Sequence, residues 1–197
     1  MSNTHSLKIP KQISTTLNSV NKTLSENKNL KININSNIIF EKDETLNLPS
    51  ISSSFNYGDM RSASDSFALK KKFHSEELLN QVTFINTDIK EEIIFLEKMR
   101  YESLGSKPFK GIKKNIQIKW IKRINAIQSK KQSDIKDLLF FTFTKYFIDL
   151  SNNNEWKKNN EYLKKITNKE NEKEFYNLLK ELPDLFENQR EFSNRAI

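Results

Sequence analysis

His74 is followed by Glu76 and Glu77, three side chains of the kinds that hold a metal ion or move a proton. Helical zinc sites place two histidines one turn apart, as in H-E-x-x-H. The other histidine, His5, lies in residues 1–8, a stretch that reads as a flexible tail. His74 therefore reads first as a partly buried or helix-end histidine. Asp65, Ser66 and His74 contain the groups of a nucleophilic triad, but no glycines flank Ser66 to build a nucleophile elbow. Glu97 and Glu102 have the chemistry of a general acid and base. Arg100 and Lys98 beside them make ion pairing the simpler role. Asp149-Leu150-Ser151-Asn152-Asn153 follows the apolar residues 140–148 and begins like a D-x-S-x-S hard-cation site. Asn153 stands where the second serine belongs, and only 44 residues follow it. Leu138, Leu139, Phe143, Tyr146, Phe147 and Leu150 also share one helical stripe, so the segment reads as helix. No residue is assigned a catalytic or metal-ligating role.

Composition narrows the field further. The absence of cysteine excludes a disulfide scaffold, a thiol nucleophile and any thiolate-held metal. Gly58, Gly105 and Gly111 are the only glycines, and their spacing makes neither G-x-G-x-x-G nor a P-loop. Hydrophobic residues are 36%, below the roughly 45–50% of an average domain, yet 14 of them are Phe, enough large side chains for a core. The N-terminal residues lack the apolar stretch a secretory leader needs, so none is expected, and no run approaches the ~18 apolar residues of a membrane span. The expectation is a cytoplasmic protein with no membrane partner.

The net charge of +8 is local. No acidic residue occurs between Glu102 and Asp134, and that interval carries Lys107, Lys110, Lys113, Lys114, Lys119, Lys122, Arg123, Lys130 and Lys131. At ~100° per residue these cations spread around a helix instead of lining one face, which disfavours groove reading of duplex DNA. A basic helical nucleic-acid-binding protein is kept as an alternative.

The elements follow from apolar spacing. Ile9, Ile13, Leu17, Val20 and Leu24 form one helical stripe, with Pro10 in its first turn and residues 27–29 ending it. Alternation through residues 31–35, then Ile38, Ile39 and Phe40, predicts a strand or short hairpin, with residues 46–48 as a possible extra strand. From residue 58 every pattern is helical. Ser75 caps a helix, Thr87-Asp88 opens the next, and residues 105–108 break it. Ile112, Ile116, Trp120, Ile124 and Ile127 mark another helix. Ser133-Asp134 caps a Phe-rich one, and Trp156, Leu163, Phe175, Leu179 and Phe192 belong to those that follow. The expected fold is mainly α, a helical domain with a small β-hairpin element near the N-terminus. It spans 9–197 as a single domain, divided into a helix plus β element (9–57) and a helical body (58–197).

Three segments carry a resemblance. Ala63-Ser64-Asp65-Ser66-Phe67-Ala68-Leu69-Lys70-Lys71-Lys72-Phe73-His74 is similar to A-D-S-x-A-L-(basic)-x-(basic)-x-H in the N-terminal region of the CobT-type subunit of aerobic cobaltochelatase. Leu96-Glu97-Lys98-Met99-Arg100-Tyr101-Glu102-Ser103-Leu104-Gly105, with Gly111 and Asn115-Ile116 beyond, resembles the family's V-E-Q-A-R-V-E-A-L-G…G-V-x-x-N-I. Leu185-Phe186-Glu187-Asn188-Gln189-Arg190-Glu191-Phe192 resembles its L-x-D-Q-x-x-F. Order and spacing agree over roughly 9–192.

The resemblance implies a subunit of a multisubunit, ATP-dependent chelatase that inserts Co²⁺ into a corrin ring in cobalamin synthesis. The implied partners are an AAA+ ATPase subunit and a large tetrapyrrole-binding subunit, in an oligomeric assembly. ATP, Mg²⁺ and Co²⁺ are then used by the complex, and none is bound by this chain. In that family an acidic linker and a von Willebrand A domain follow. The 197 residues stop before both, which reads as a fragment or a short form, and no metal-site residue carries over. Asp65, His74, Glu97, Arg100, Glu102 and Gly105 become interface or structural-network candidates, with Gly105 as a helix C-terminal cap. The expected role is a non-catalytic assembly or adaptor module. An AAA+ adaptor outside cobalamin synthesis is a further alternative.

Overall fold

The computed structural model describes residues 5–52, 54–128, 143–144, 147 and 177–196. Its contacts divide the chain into two compact units, Met1–Phe73 and His74–Ile197.

The first unit is built on α1 (His5–Ser25), a three-stranded sheet and α2 (Tyr57–Phe73). Helix α1 begins at His5, so helix replaces the tail expected up to residue 8 and Pro10 lies beyond the first turn. Serines and threonines are poor helix formers unless their hydroxyls find local acceptors. Here Thr15, Thr16, Ser19, Thr23 and Ser25 each donate to the carbonyl four residues back. Ile13, Leu17 and Leu24 leave that hydroxyl-lined face and turn toward the core. The helix stops where Glu26 adopts φ 57°, the left-handed conformation of a helix C′ position.

Strands β1 (Lys31–Ser36), β2 (Phe40–Lys42) and β3 (Thr45–Pro49) form a sheet in the order β1-β3-β2. The hairpin expected between residues 31–35 and 38–40 does not form: β2 pairs antiparallel with β3 instead, and β1 pairs parallel to β3 in the register Ile32 to Leu46 and Ile34 to Leu48. Residues 46–48 are therefore the centre of the sheet, not an extra strand. Ile32, Ile34, Leu46 and Leu48 all point to one buried face, where they meet Leu17, Leu30, Met60 and Phe67. The outer edge of β1 is partly closed by α1. The Asn18 side chain accepts from the Ile32 N–H at 2.8 Å and donates to the Ile32 carbonyl at 3.2 Å, as a neighbouring strand would. Met60 and Phe67 place α2 in this unit, although its apolar spacing had grouped it with the helical body from residue 58.

The second unit contains α3 (Glu76–Ile85), a 3-10 turn Thr87–Ile89, α4 (Lys90–Ser106) and α5 (Lys110–Gln128). Residues 177–181 are helical and lead through a second 3-10 turn (Leu182–Leu185) to α6 (Gln189–Ala196). Ser75 caps α3 as expected, its hydroxyl accepting from the Leu78 N–H at 3.4 Å. Ile112, Ile116, Trp120 and Ile124 form the buried stripe of α5. Phe143, Thr144 and Phe147 are helical and buried, in line with a helical stripe through them. The Phe147, Phe186 and Phe192 rings pack edge to face at 4.9–6.4 Å between centroids. The Ser133-Asp134 cap, Asp149 to Asn153 as a cation-site motif, and the helices placed at Trp156, Leu163 and Phe175 lie outside the described residues. No described helix is long and apolar enough to cross a membrane.

Candidate functional site

α4 owes its unusual character to charge. On sequence it has no clear apolar face, because Glu97, Arg100, Glu102, Ser103 and Ser106 are all buried alongside Ile93, Leu96 and Met99. A buried charge is tolerable only when paired and hydrogen-bonded. The helix meets that requirement with two separate clusters.

The first is built around Glu97, 1% exposed. Arg100, one turn on, donates through Nε to Oε2 and through Nη2 to Oε1, both at 2.8 Å. Its third nitrogen, Nη1, donates to the Phe186 carbonyl. The His74 Nδ1 lies 2.8 Å from Glu97 Oε1. A carboxylate only accepts, so the His74 Nδ1–H donates in this contact. His74 Nε2 faces Glu76 Oε2 at 3.4 Å, and the imidazole leans on Tyr101 with centroids 5.9 Å apart. Gln189, at the start of α6, then joins the two ends of the unit. Its Oε1 accepts from the Ser75 N–H at 2.7 Å and its Nε2 donates to the Ser75 carbonyl at 3.0 Å.

The second cluster lies between α4 and α5. Glu102, fully buried, accepts from the Trp120 Nε1–H at 2.6 Å and from the Lys119 ammonium. Lys119 and Arg123 both stand over the Trp120 ring, at 4.7 and 5.8 Å, and Phe95 meets that ring edge-on. Burial holds the Lys119 pKa down to about 8, outweighing the pull of Glu102, with Lys98 and Arg123 adding repulsion. The folded protein then binds fewer protons than the unfolded chain between about pH 8 and 10.5, so this lysine makes stability rise with pH across that window. The rise is at most about 1.4 kcal/mol per pH unit. Lys119→Met should flatten the urea-unfolding free energy against pH between pH 8 and 10; an unchanged slope would contradict a depressed lysine.

The candidates are thus distributed differently from a single network. Glu97, Arg100 and His74 are together. Glu102 belongs with α5. Asp65 is fully buried in the first unit, with Arg61 at 3.5 Å. Gly105 is no cap: it is buried inside α4, which continues through Ser106, and no glycine has positive φ among the described residues. Of the cations, Lys107, Lys110, Lys114, Lys122 and Arg123 are exposed and Lys113 is half-buried. Lys119 is committed to Glu102. Lys130 and Lys131 lie outside the described residues. Sequence reasoning missed Ser75, Gln189, Lys119 and Trp120 as partners. Gln189 carried a signal, as the Gln of the third matched segment; Lys119 carried none, being one lysine among many.

Residues of all three matched segments meet in the Glu97 cluster: His74 closes the first, Glu97 and Arg100 lie in the second, Phe186 and Gln189 in the third. Among the described residues no group of three His, Cys, Asp or Glu side chains is placed to hold a metal ion. The arrangement defines a helical protein whose shared residues are spent on an internal charge cluster. The family described as cobalamin biosynthesis protein CobT matches residues 11–196, and the chain belongs to that family. Comparison with curated proteins and with solved structures returned no match.

Proposed function

We propose that the chain is an assembly module of an ATP-dependent cobaltochelatase, the cytoplasmic complex that inserts Co²⁺ into a corrin ring, and that it contributes no catalytic residue of its own. Membership of a cobalamin biosynthesis family supports the pathway. The observation that carries the non-catalytic role is the mutual engagement of the ionisable groups in the matched segments. Glu97 is held by Arg100 and His74, and Glu102 by Lys119 and Trp120, so these groups organise the unit. ATP, with its Mg²⁺, is used by an AAA+ subunit, and the tetrapyrrole is held by a large partner subunit. The exposed cations between residues 107 and 123 meet acidic protein surface.

Co-purification tests this reading. The chain should be retained by the AAA+ and large chelatase subunits of its own organism, with retention falling as salt is raised. Failure to bind either subunit would overturn the proposal. Binding of DNA or RNA at ~50 mM salt, collapsing steeply at higher salt, would favour the nucleic-acid alternative instead.

A further inference from the structure

The first unit has a cleft of its own, on the outer face of its sheet. Its volume is about 680 Å³, within the roughly 300–1,000 Å³ that small-molecule sites occupy. Ile32, Ile34, Leu46 and Leu48 take the core face, so alternation turns Asn33, Asn47 and Phe40 outward into the cleft. Strand pairing sets these three in one row, Asn33 opposite Asn47 and Asn47 opposite Phe40. Strands lie about 4.8 Å apart, so the row is about 10 Å long. Helix α1 walls the cleft with Lys11, Ser14 and Thr15.

The cleft changes character along this row. At the α1 end it offers positive charge and a backbone donor. The Lys31 N–H turns toward β3 and donates to the Glu44 carbonyl at 2.9 Å, whereas the Ile32 N–H turns the other way, to Asn18. Alternation therefore sends the Ile34 N–H to the α1 side, where the cleft opens one step beyond Asn18. Lys11 makes no ion pair with a described residue, and no acidic side chain is among the described lining. In the middle, Asn33 Nδ2 donates to Asn47 Oδ1 at 3.3 Å. That single bond leaves the Asn pair one carbonyl oxygen to accept and one amide nitrogen to donate. At the far end stands the exposed Phe40 ring.

We propose that this cleft binds a small N-acyl amino acid. The carboxylate lies between the Lys11 ammonium and the Ile34 N–H, the amide on the Asn33 and Asn47 carboxamides, and the apolar acyl group on Phe40. One cation and one N–H match a monoanion, which selects a carboxylate over a doubly charged phosphate. The middle of the row has room for one amide, which selects a single acylated residue over a peptide. A ligand site in the first unit goes beyond the chelatase reading and needs no other subunit.

Hippurate, the benzoyl amide of glycine, carries all three groups and is the probe. Titrated into the isotope-labelled full chain and followed by NMR, it should shift the Ile34 amide and the Asn33 and Asn47 side-chain signals together. The shifts should saturate in the millimolar range. Hippuramide, which lacks the charge, should bind about tenfold more weakly, and Lys11→Met should weaken hippurate by a similar factor. Asn33→Asp, which sets a like charge in the row, should do the same. Both positions are exposed, so circular dichroism should remain unchanged. A tetrapeptide ending in phenylalanylglycine offers the same amide and carboxylate at a chain terminus and should bind no more tightly. No saturable shift up to about 10 mM, shifts confined to other surfaces, or an affinity indifferent to Lys11→Met would each overturn the proposal. Tetrapeptide binding about tenfold tighter than hippurate would overturn it too, by giving the cleft to a polypeptide terminus. Because only this chain is present, such a failure is separate from any failure to bind chelatase subunits.

Discussion

Replacing Arg100 by Met should lower the free energy of unfolding by about 3–5 kcal/mol, the cost of breaking a buried ion pair from one side. The guanidinium makes two hydrogen bonds to Glu97 and a third to the Phe186 carbonyl. Met fills much of the volume but supplies no donor, so a carboxylate 1% exposed is left with His74 alone. For a domain of this size, that corresponds to a fall of roughly 10 °C in Tm. Arg100→Lys should recover little, because one ammonium cannot reproduce a planar fork that reaches three acceptors. Glu97→Met in the Arg100→Met background should cost less than the sum of the single changes, since no unpaired carboxylate remains. Urea unfolding followed by circular dichroism measures all four proteins. A loss below about 1 kcal/mol for Arg100→Met would show that the cluster does not hold the unit together.

Trp120→Ala should be comparably damaging, about 3–5 kcal/mol, and for a different reason. The indole is 1% exposed, packs edge-on against Phe95 and lies beneath two cations. It also provides the N–H that binds Glu102. Trp120→Phe separates these roles, keeping most of the packing and discarding the donor. It should cost about 1.5–3 kcal/mol, the value of a hydrogen bond to a charged group. If Trp120→Phe is neutral, the indole N–H does not hold Glu102; if it is as harmful as Ala, ring packing contributes little.

The sequence was most legible where one face of an element is buried and the other is wet. α1 and α5 announce themselves through spacings of three and four, and the Ser75 cap through residue type. α4 was legible as a helix but not in its orientation, because charged and apolar side chains are buried together and periodicity has nothing to contrast. The same burial explains Gly105. A glycine near a helix end suggests a cap, yet here the helix continues past it. The sheet was half legible. Alternation finds β1 and β3, but parallel pairing across the intervening β2 is a long-range choice that local pattern does not encode. For the site, Glu97 and Arg100 could be paired from their spacing. The long-range partners, Gln189 above all, could not be read from spacing.

The bonds from Gln189 to Ser75 join residues 114 apart in the chain. They bring the first residues of the second unit within hydrogen-bond reach of its last described helix. A unit whose entry and exit lie side by side is a closed loop in topological terms. Gln189, which also lies against His74 of the charge cluster, is thus the clasp between the first residues of this unit and its last described helix.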